Sequence, residues 1–127
     1  MREIKFRAWV ARYKKYMPII SITWDTSNRP MLITLEDTFG DSLVLNSEDV
    51  LLEQYTGLKD KNGKDIYEGD IVKIIGVKQY FTFVWDDDEL WYSLEDKNKR
   101  RYVVWDNKYQ IIGNIHENKE LLERSGE

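Results

Sequence analysis

The side chains that could do chemistry fall into a few short stretches. The densest carboxylate cluster is Asp86-Asp87-Asp88-Glu89, and hard cations such as Mg²⁺ and Ca²⁺ take oxygen ligands. Four consecutive acids on a hairpin tip point in alternating directions, however. The favoured reading is therefore a solvated turn that keeps a strand edge from pairing with another chain, and a divalent-metal hydrolase is a remote alternative. His116 is the only histidine. As a general base it needs a nucleophile and an orienting carboxylate beside it, and no serine sits in a GxSxG elbow. Asp60-Lys61-Asn62-Gly63 looks at first like a calcium loop and fails the test. The glycine of such a loop stands at its sixth position, which places Leu58 where an acid is required. Lys59, Lys61 and Lys64 would also repel a cation. There is no cysteine, hence no disulfide, thiol nucleophile or thiolate metal site. No catalytic set, cofactor motif or metal-ligand spacing emerges, and the chain reads as non-enzymatic.

Two stretches suit binding better. The aromatic content is high, with five Trp and eight Tyr in 127 residues. Trp85, Trp91, Tyr92 and Trp105 stand on consecutive apolar segments. Those that a small core does not absorb form the kind of patch that marks a protein interface. Beside them Lys97, Lys99, Arg100 and Arg101 make a basic tip. Basic residues interleaved with aromatics describe a single-stranded nucleic-acid surface, where stacking contributes about 1–3 kcal/mol per base. Glu95 and Asp96 adjoin that tip, and the net charge is −4, so protein binding, to a second copy or a host factor, is the first expectation. Nucleic-acid binding is the second. Residues 1–30 hold seven basic residues against two acidic ones. That basic end serves either to touch phosphates or, as the favoured reading, to pair internally with acids elsewhere in the chain.

These stretches must be positioned by strands. Ile4, Phe6 and Ala8 alternate with Lys5 and Arg7, the period of a strand with one wet face. Ile20, Ile22 and Trp24 alternate again, so an opening hairpin is expected, turning at Lys14-Lys15. Short apolar runs follow at Met31–Leu35 and Leu43–Leu45, and 48–55 leans towards strand. Asn62-Gly63 predicts a type I′ turn with positive φ at both residues. Gly69-Asp70 predicts a second tight turn into Ile71–Ile75. Strands are then expected at Lys78–Trp85, Leu90–Leu94, Tyr102–Trp105 and Tyr109–Ile115, joined by polar turns that include Asp106-Asn107-Lys108. That spacing indicates a small barrel or sandwich built as a meander. Asn118 is placed to cap a short helix, Lys119–Arg124. No apolar run approaches the roughly 20 residues of a membrane span, and the first residues lack a signal peptide's apolar core. The cytoplasm is the expected compartment.

Three stretches carry a family resemblance: Ile4-Lys5-Phe6-Arg7-Ala8-Trp9, QYTGLKDKNGKDIYEGDIV at 54–72, and IIGNIHENKELLE at 111–123. Together, and in this order, they resemble the YopX family of phage and prophage proteins. The resemblance implies an all-β fold: an N-terminal β-hairpin extension over 1–53, then a small SH3-like barrel with a short C-terminal helix over 54–127. It also implies a bacterial host cytoplasm, and it brings no catalytic residue with it. Three positions depart from the family pattern. Val10 stands where an acid tends to follow the first Trp, His116 where an aromatic is usual, and Lys119 where Pro opens the last helix.

Overall fold

Alternating β-branched and aromatic residues do form strands almost throughout the chain. A computed structural model describes residues 3–105 and 108–124, in two compact units, Lys5–Gln54 and a second from Tyr55 onward. Among the described residues all strand pairing is antiparallel.

In the first unit, β1 (Phe6–Val10) pairs with β2 (Lys15–Met17) in the register Ala8 opposite Met17. The opening hairpin therefore closes on Lys15–Met17, not on 20–24 as the alternation suggested. Pro18 interrupts the ladder because it has no N–H to donate. The chain then starts a separate sheet, β3 (Ile19–Trp24), β4 (Pro30–Glu36) and β5 (Ser42–Asn46), in that spatial order. A 3₁₀ turn at Ser47–Asp49 leads into β6 (Leu51–Lys59). Ala8, Val10, Met17, Ile33, Leu35, Leu45 and Val50 form this unit's core.

The basic N-terminal strand finds an internal partner. Glu53 is buried, and it accepts a 2.9 Å bond from Arg7 Nε and a 2.7 Å bond from the Tyr16 hydroxyl. The Arg7 guanidinium also lies 4.4 Å from the centre of the Tyr16 ring. A carboxylate at such depth is tolerated only because both donors are fixed on neighbouring strands.

β6 changes partner along its length. Leu51–Gln54 pair with β1, whereas Tyr55 and Lys59 pair with β7 (Asp65–Tyr67). Between them Gly57 takes φ +86° and the register shifts. The buried Thr56 hydroxyl braces this bulge by donating to the Ile66 carbonyl at 2.7 Å. A tight turn at Gly69 (φ +85°) then feeds β8 (Asp70–Ile74), and the Asp70 carboxylate accepts the Tyr67 N–H. The strands β9 (Phe81–Asp86), β10 (Trp91–Glu95) and β11 (Arg101–Val103) form a meander. The strand β12 (Tyr109–Asn114) returns to β8, giving the order β11-β10-β9-β8-β12. Val72, Ile74, Phe81, Phe83, Tyr92, Leu94 and Tyr109 form the second core with Ile66. Each large apolar side chain so buried stabilises by roughly 1.5–3 kcal/mol.

Three local expectations are corrected. The 78–85 strand begins at Phe81, because Gly76 (φ +83°) and the Val77 N–H to Ile74 carbonyl bond make 75–80 a turn region. The helix α1 is only Glu120–Glu123 with Lys119 as its N-cap. Asn118 instead accepts the Asn114 N–H. At Asn62-Gly63 only Gly63 has positive φ, +81°. The turn is a type I turn followed by a left-handed residue, with Gly63 N–H donating to the Asp60 carbonyl and Asp60 N–H to that of Lys64. Of the expected Asp106-Asn107-Lys108 turn, the first two residues lie outside the described residues.

The same five-residue loop recurs four times, at 25–29, 37–41, 60–64 and 96–100. In each, an aspartate Oδ1 accepts the N–H groups of the third and fifth residues. The fourth residue is left-handed: Asn28, Gly40, Gly63 and Lys99. The side-chain oxygen satisfies loop donors that the ladder cannot reach.

Candidate functional site

The β9–β10 hairpin sets Trp85 opposite Tyr92 and Asp86 opposite Trp91. Side chains alternate between the two faces, so Phe83, Trp85, Tyr92 and Leu94 share the core side. Tyr92 is 2% exposed and belongs to the core. Trp85 and Trp91 stand at the hairpin end, 39% and 38% exposed. Both rings meet Tyr92 edge-to-face, at centroid distances of 5.2 and 5.6 Å. The Trp85 indole N–H donates to Asp87 at 2.9 Å, which fixes the ring's orientation. Leu90 completes the tip at φ +52° with 73% of its surface exposed. Nothing in its apolar character marked Leu90 beforehand; the turn alone turns it outwards. Trp105 is 40% exposed and makes its ring contact with Tyr109, not with Tyr92. The four aromatics singled out from sequence thus separate into a buried anchor, two exposed rings fixed on it, and one ring elsewhere.

The acidic run divides as well. Asp86 is buried and accepts the Asp88 and Glu89 N–H groups, the Ser93 hydroxyl at 3.1 Å and an ion pair from Arg101 at 3.4 Å. Burial pushes its carboxyl up, but these donors outweigh it and hold the group below its ordinary range. Asp87, Asp88 and Glu89 are exposed and put negative charge on the same hairpin tip. Among the described residues, no group of three or more His or acidic side chains is placed to hold a metal ion.

The basic tip is largely committed. Arg101 bonds Glu95 at 3.2 Å in addition to Asp86, and the Glu95 bond above all raises its already high pKa. Lys99 Nζ lies 3.4 Å from Glu95. Arg100 contributes its N–H to Asp96. Asp96 also accepts the Tyr102 hydroxyl at 2.9 Å. Lys97 and Lys99 border a cleft near α1. His116 is half-buried, with its N–H on the Asn114 side chain.

The described residues form an antiparallel all-β protein of two units with an exposed aromatic hairpin. The comparisons with known proteins agree on its kinship. The sequence model of the YopX protein family matches residues 5–123, and the chain belongs to that family. The crystal structure of protein EF1440 from Enterococcus faecalis is similar in fold, with a TM-score of 0.67 at 28% identity, covering 96% of this chain and 99% of that one. No curated protein matches. No described helix is long and apolar enough to cross a membrane.

Proposed function

We propose that this YopX-family protein is a non-catalytic interaction module of phage or prophage type, acting in the bacterial cytoplasm. It binds a protein, either a second copy or a host factor, through the tip formed by Trp85, Leu90 and Trp91. The observation that carries this reading is the exposure of two indoles that are nonetheless held rigidly on a buried tyrosine. Pre-oriented aromatics lose little entropy on binding, which is why such side chains supply most interface energy. Carboxylates around them suit a partner with an apolar pocket rimmed by Lys or Arg. The order β11-β10-β9-β8-β12, in which the last strand returns to pair with the first of the meander, supports reading the second unit as an SH3-like barrel. Nucleic-acid binding through Lys97, Lys99, Arg100 and Arg101 has less support, because Lys99 and Arg101 spend their charge on Glu95 and Asp86.

A photo-crosslinking residue at position 90, introduced in bacterial cells expressing the full chain, tests the proposal. A discrete adduct at position 90, absent when the probe replaces the exposed Lys73, is the expected result. No adduct at either position, together with strictly monomeric sedimentation, would leave the tip without a partner and refute the reading.

A further inference from the structure

A sheet edge recruits another strand unless it is blunted by shortness, charge, proline, a bulge or a covering loop. Among the described residues most edges carry such a device. The strands β2, β7 and β11 are three residues long and bear Lys15, Asp65 and Arg101. β3 breaks register twice, between Ile19 and Ser21 and between Thr23 and Trp24. β12 is covered by the 60–64 loop, where the Tyr109 carbonyl accepts the Lys61 N–H and Asp60 accepts the Ile111 N–H. β5 has none of these. Its residues Ser42-Leu43-Val44-Leu45-Asn46 include no proline or charge, pair with β4 in unbroken register and end the order β3-β4-β5.

The Asp37 N–H donates to the Asp41 carbonyl at 2.8 Å, so the β4–β5 loop closes on a hydrogen-bonded pair. Hydrogen-bonded and non-hydrogen-bonded pairs alternate along an antiparallel ladder. Leu43 and Leu45 therefore bond β4, whereas the N–H and C=O groups of Ser42, Val44 and Asn46 point away from it. Glu36, opposite Ser42, agrees, since its N–H goes to the Pro18 carbonyl instead. Among the described residues no hydrogen bond takes up the outward groups of β5, and Val44 is 56% exposed.

Both ends of this edge are acidic. Asp41 precedes Ser42, Glu36 stands opposite it, and Glu48 and Asp49 follow Asn46. All four are exposed, and none has an ion pair among the described residues. Two cations reach the adjoining loops, Lys15 on Thr38 and Arg29 on Asp25, and the acids outnumber them. A second copy suits this charge badly. Antiparallel pairing about Val44 sets Ser42 against Asn46, which brings Asp41 of one copy to Ser47 and Glu48 of the other.

We infer that β5 captures an extended, basic segment of a partner protein by strand addition. The backbone of Ser42, Val44 and Asn46 supplies the pairing. Residues that fall beside Leu43 and Leu45 are apolar, because those leucines face the core side with Ile33 and Leu35. Lys or Arg at the ends of the segment meets Asp41 or Glu48 and Asp49. β5 belongs to the first unit, so this surface is additional to the tryptophan tip of the second.

The test is amide-resolved NMR titration of the full chain with three synthetic peptides. One carries Thr-Val-Thr-Val-Thr between lysine–arginine pairs. The second has glutamates in place of those pairs, and the third is the basic peptide with proline at its centre. Saturable shifts at Ser42, Val44 and Asn46 are expected with the basic peptide by about 1 mM, with the other two at least about tenfold weaker. Val44→Pro removes an outward N–H and leaves the β4 ladder whole. It is expected to melt within a few degrees of the parent and to bind the basic peptide about tenfold more weakly. Asp41→Lys with Glu48→Lys changes the charges without touching the edge, and is expected to reverse the preference towards the glutamate peptide. Equal binding of the basic and glutamate peptides, equal binding of the proline peptide, or no shifts at these amides would overturn the inference. So would dimers in sedimentation whose formation shifts the same amides without peptide, because the edge would then serve a second copy.

Discussion

Replacing Asp60 with Asn isolates one bond that ties a surface loop to the core. Asp60 Oδ1 accepts the Asn62 and Lys64 N–H groups, as in the other three loops, but its Oδ2 also accepts the N–H of Ile111 on β12 at 3.2 Å. The Lys61 N–H to Tyr109 carbonyl bond, 2.8 Å, lies alongside. An asparagine keeps one acceptor for the loop and turns its NH₂ towards the Ile111 N–H, donor against donor. A partly buried donor left unsatisfied costs about 1–3 kcal/mol. Weakening two charge-assisted loop bonds adds about 0.5 kcal/mol, so Asp60→Asn is expected to cost about 1.5–3.5 kcal/mol. Asp37→Asn is the control. Its carboxylate caps the same loop through Phe39 and Asp41, and the change is expected to cost no more than about 0.5 kcal/mol. Urea unfolding followed by circular dichroism reads the difference as a midpoint shift of roughly 1 M. Amide exchange at Ile111 should accelerate in Asp60→Asn alone. Losses within about 0.5 kcal/mol of each other would refute the reasoning, because the β12 tie would then carry no energy. The same variant reports on pH. Burial raises the Asp60 pKa, but the N–H donors from Lys64, Ile111 and Asn62 outweigh it and hold the group below 3.8. A carboxyl lowered in the folded state stabilises above its unfolded pKa, and that contribution disappears as pH falls through the folded value. The parent should therefore lose stability below about pH 4 more steeply than Asp60→Asn.

Further perturbations test other parts of the second unit. A Cβ at Gly113 would fall 2.6 Å from Asn118 Oδ1 and 2.7 Å from Asn118 Cβ, so Gly113→Ala should cost about 1–3 kcal/mol by overpacking. Pairing it with Asn118→Gly should recover part of that loss in urea unfolding, and no recovery would assign the defect elsewhere. Chiefly its hydrogen bond to Asp96 raises the Tyr102 pKa. The bond therefore stabilises fully below the tyrosine's ordinary pKa near 10 and is lost as pH rises through the folded value. Tyr102→Phe should flatten the alkaline limb of the stability profile, measured by melting between pH 8 and about pH 11. Trp85→Ala with Trp91→Ala should abolish the position-90 adduct while leaving the fold intact, since both rings are more than a third exposed. Retention of the adduct would place the interface elsewhere.

Much of this protein is legible in its residues because strand periodicity and turn chemistry are local. Phe81, Phe83 and Leu94 are buried and Lys73 exposed, as alternation demands. The glycines at 57, 63 and 69 are left-handed where the chain bends. The stretch 54–72 names the family for the same reason: its punctuation is read without reference to distant residues. What alternation does not contain is the identity of the partner strand. Phe6–Val10 pairs with Lys15–Met17 because Pro18 ends the ladder, a fact of hydrogen-bonding capacity that apolar patterning cannot register. Nor does it contain which of several identical side chains lies at a strand end. Tyr92 is sealed while Trp91, its neighbour in sequence, is open, because Trp91 begins its strand at the hairpin end whereas Tyr92 packs into the core. Asp86 belongs to Arg101 and Ser93 although it stands first in an acidic run. Sequence alone determined most of the strand-forming residues, several of the turns and the family. Tertiary structure alone decided which aromatics and acids remain available to a partner, because availability depends on neighbours that are distant along the chain.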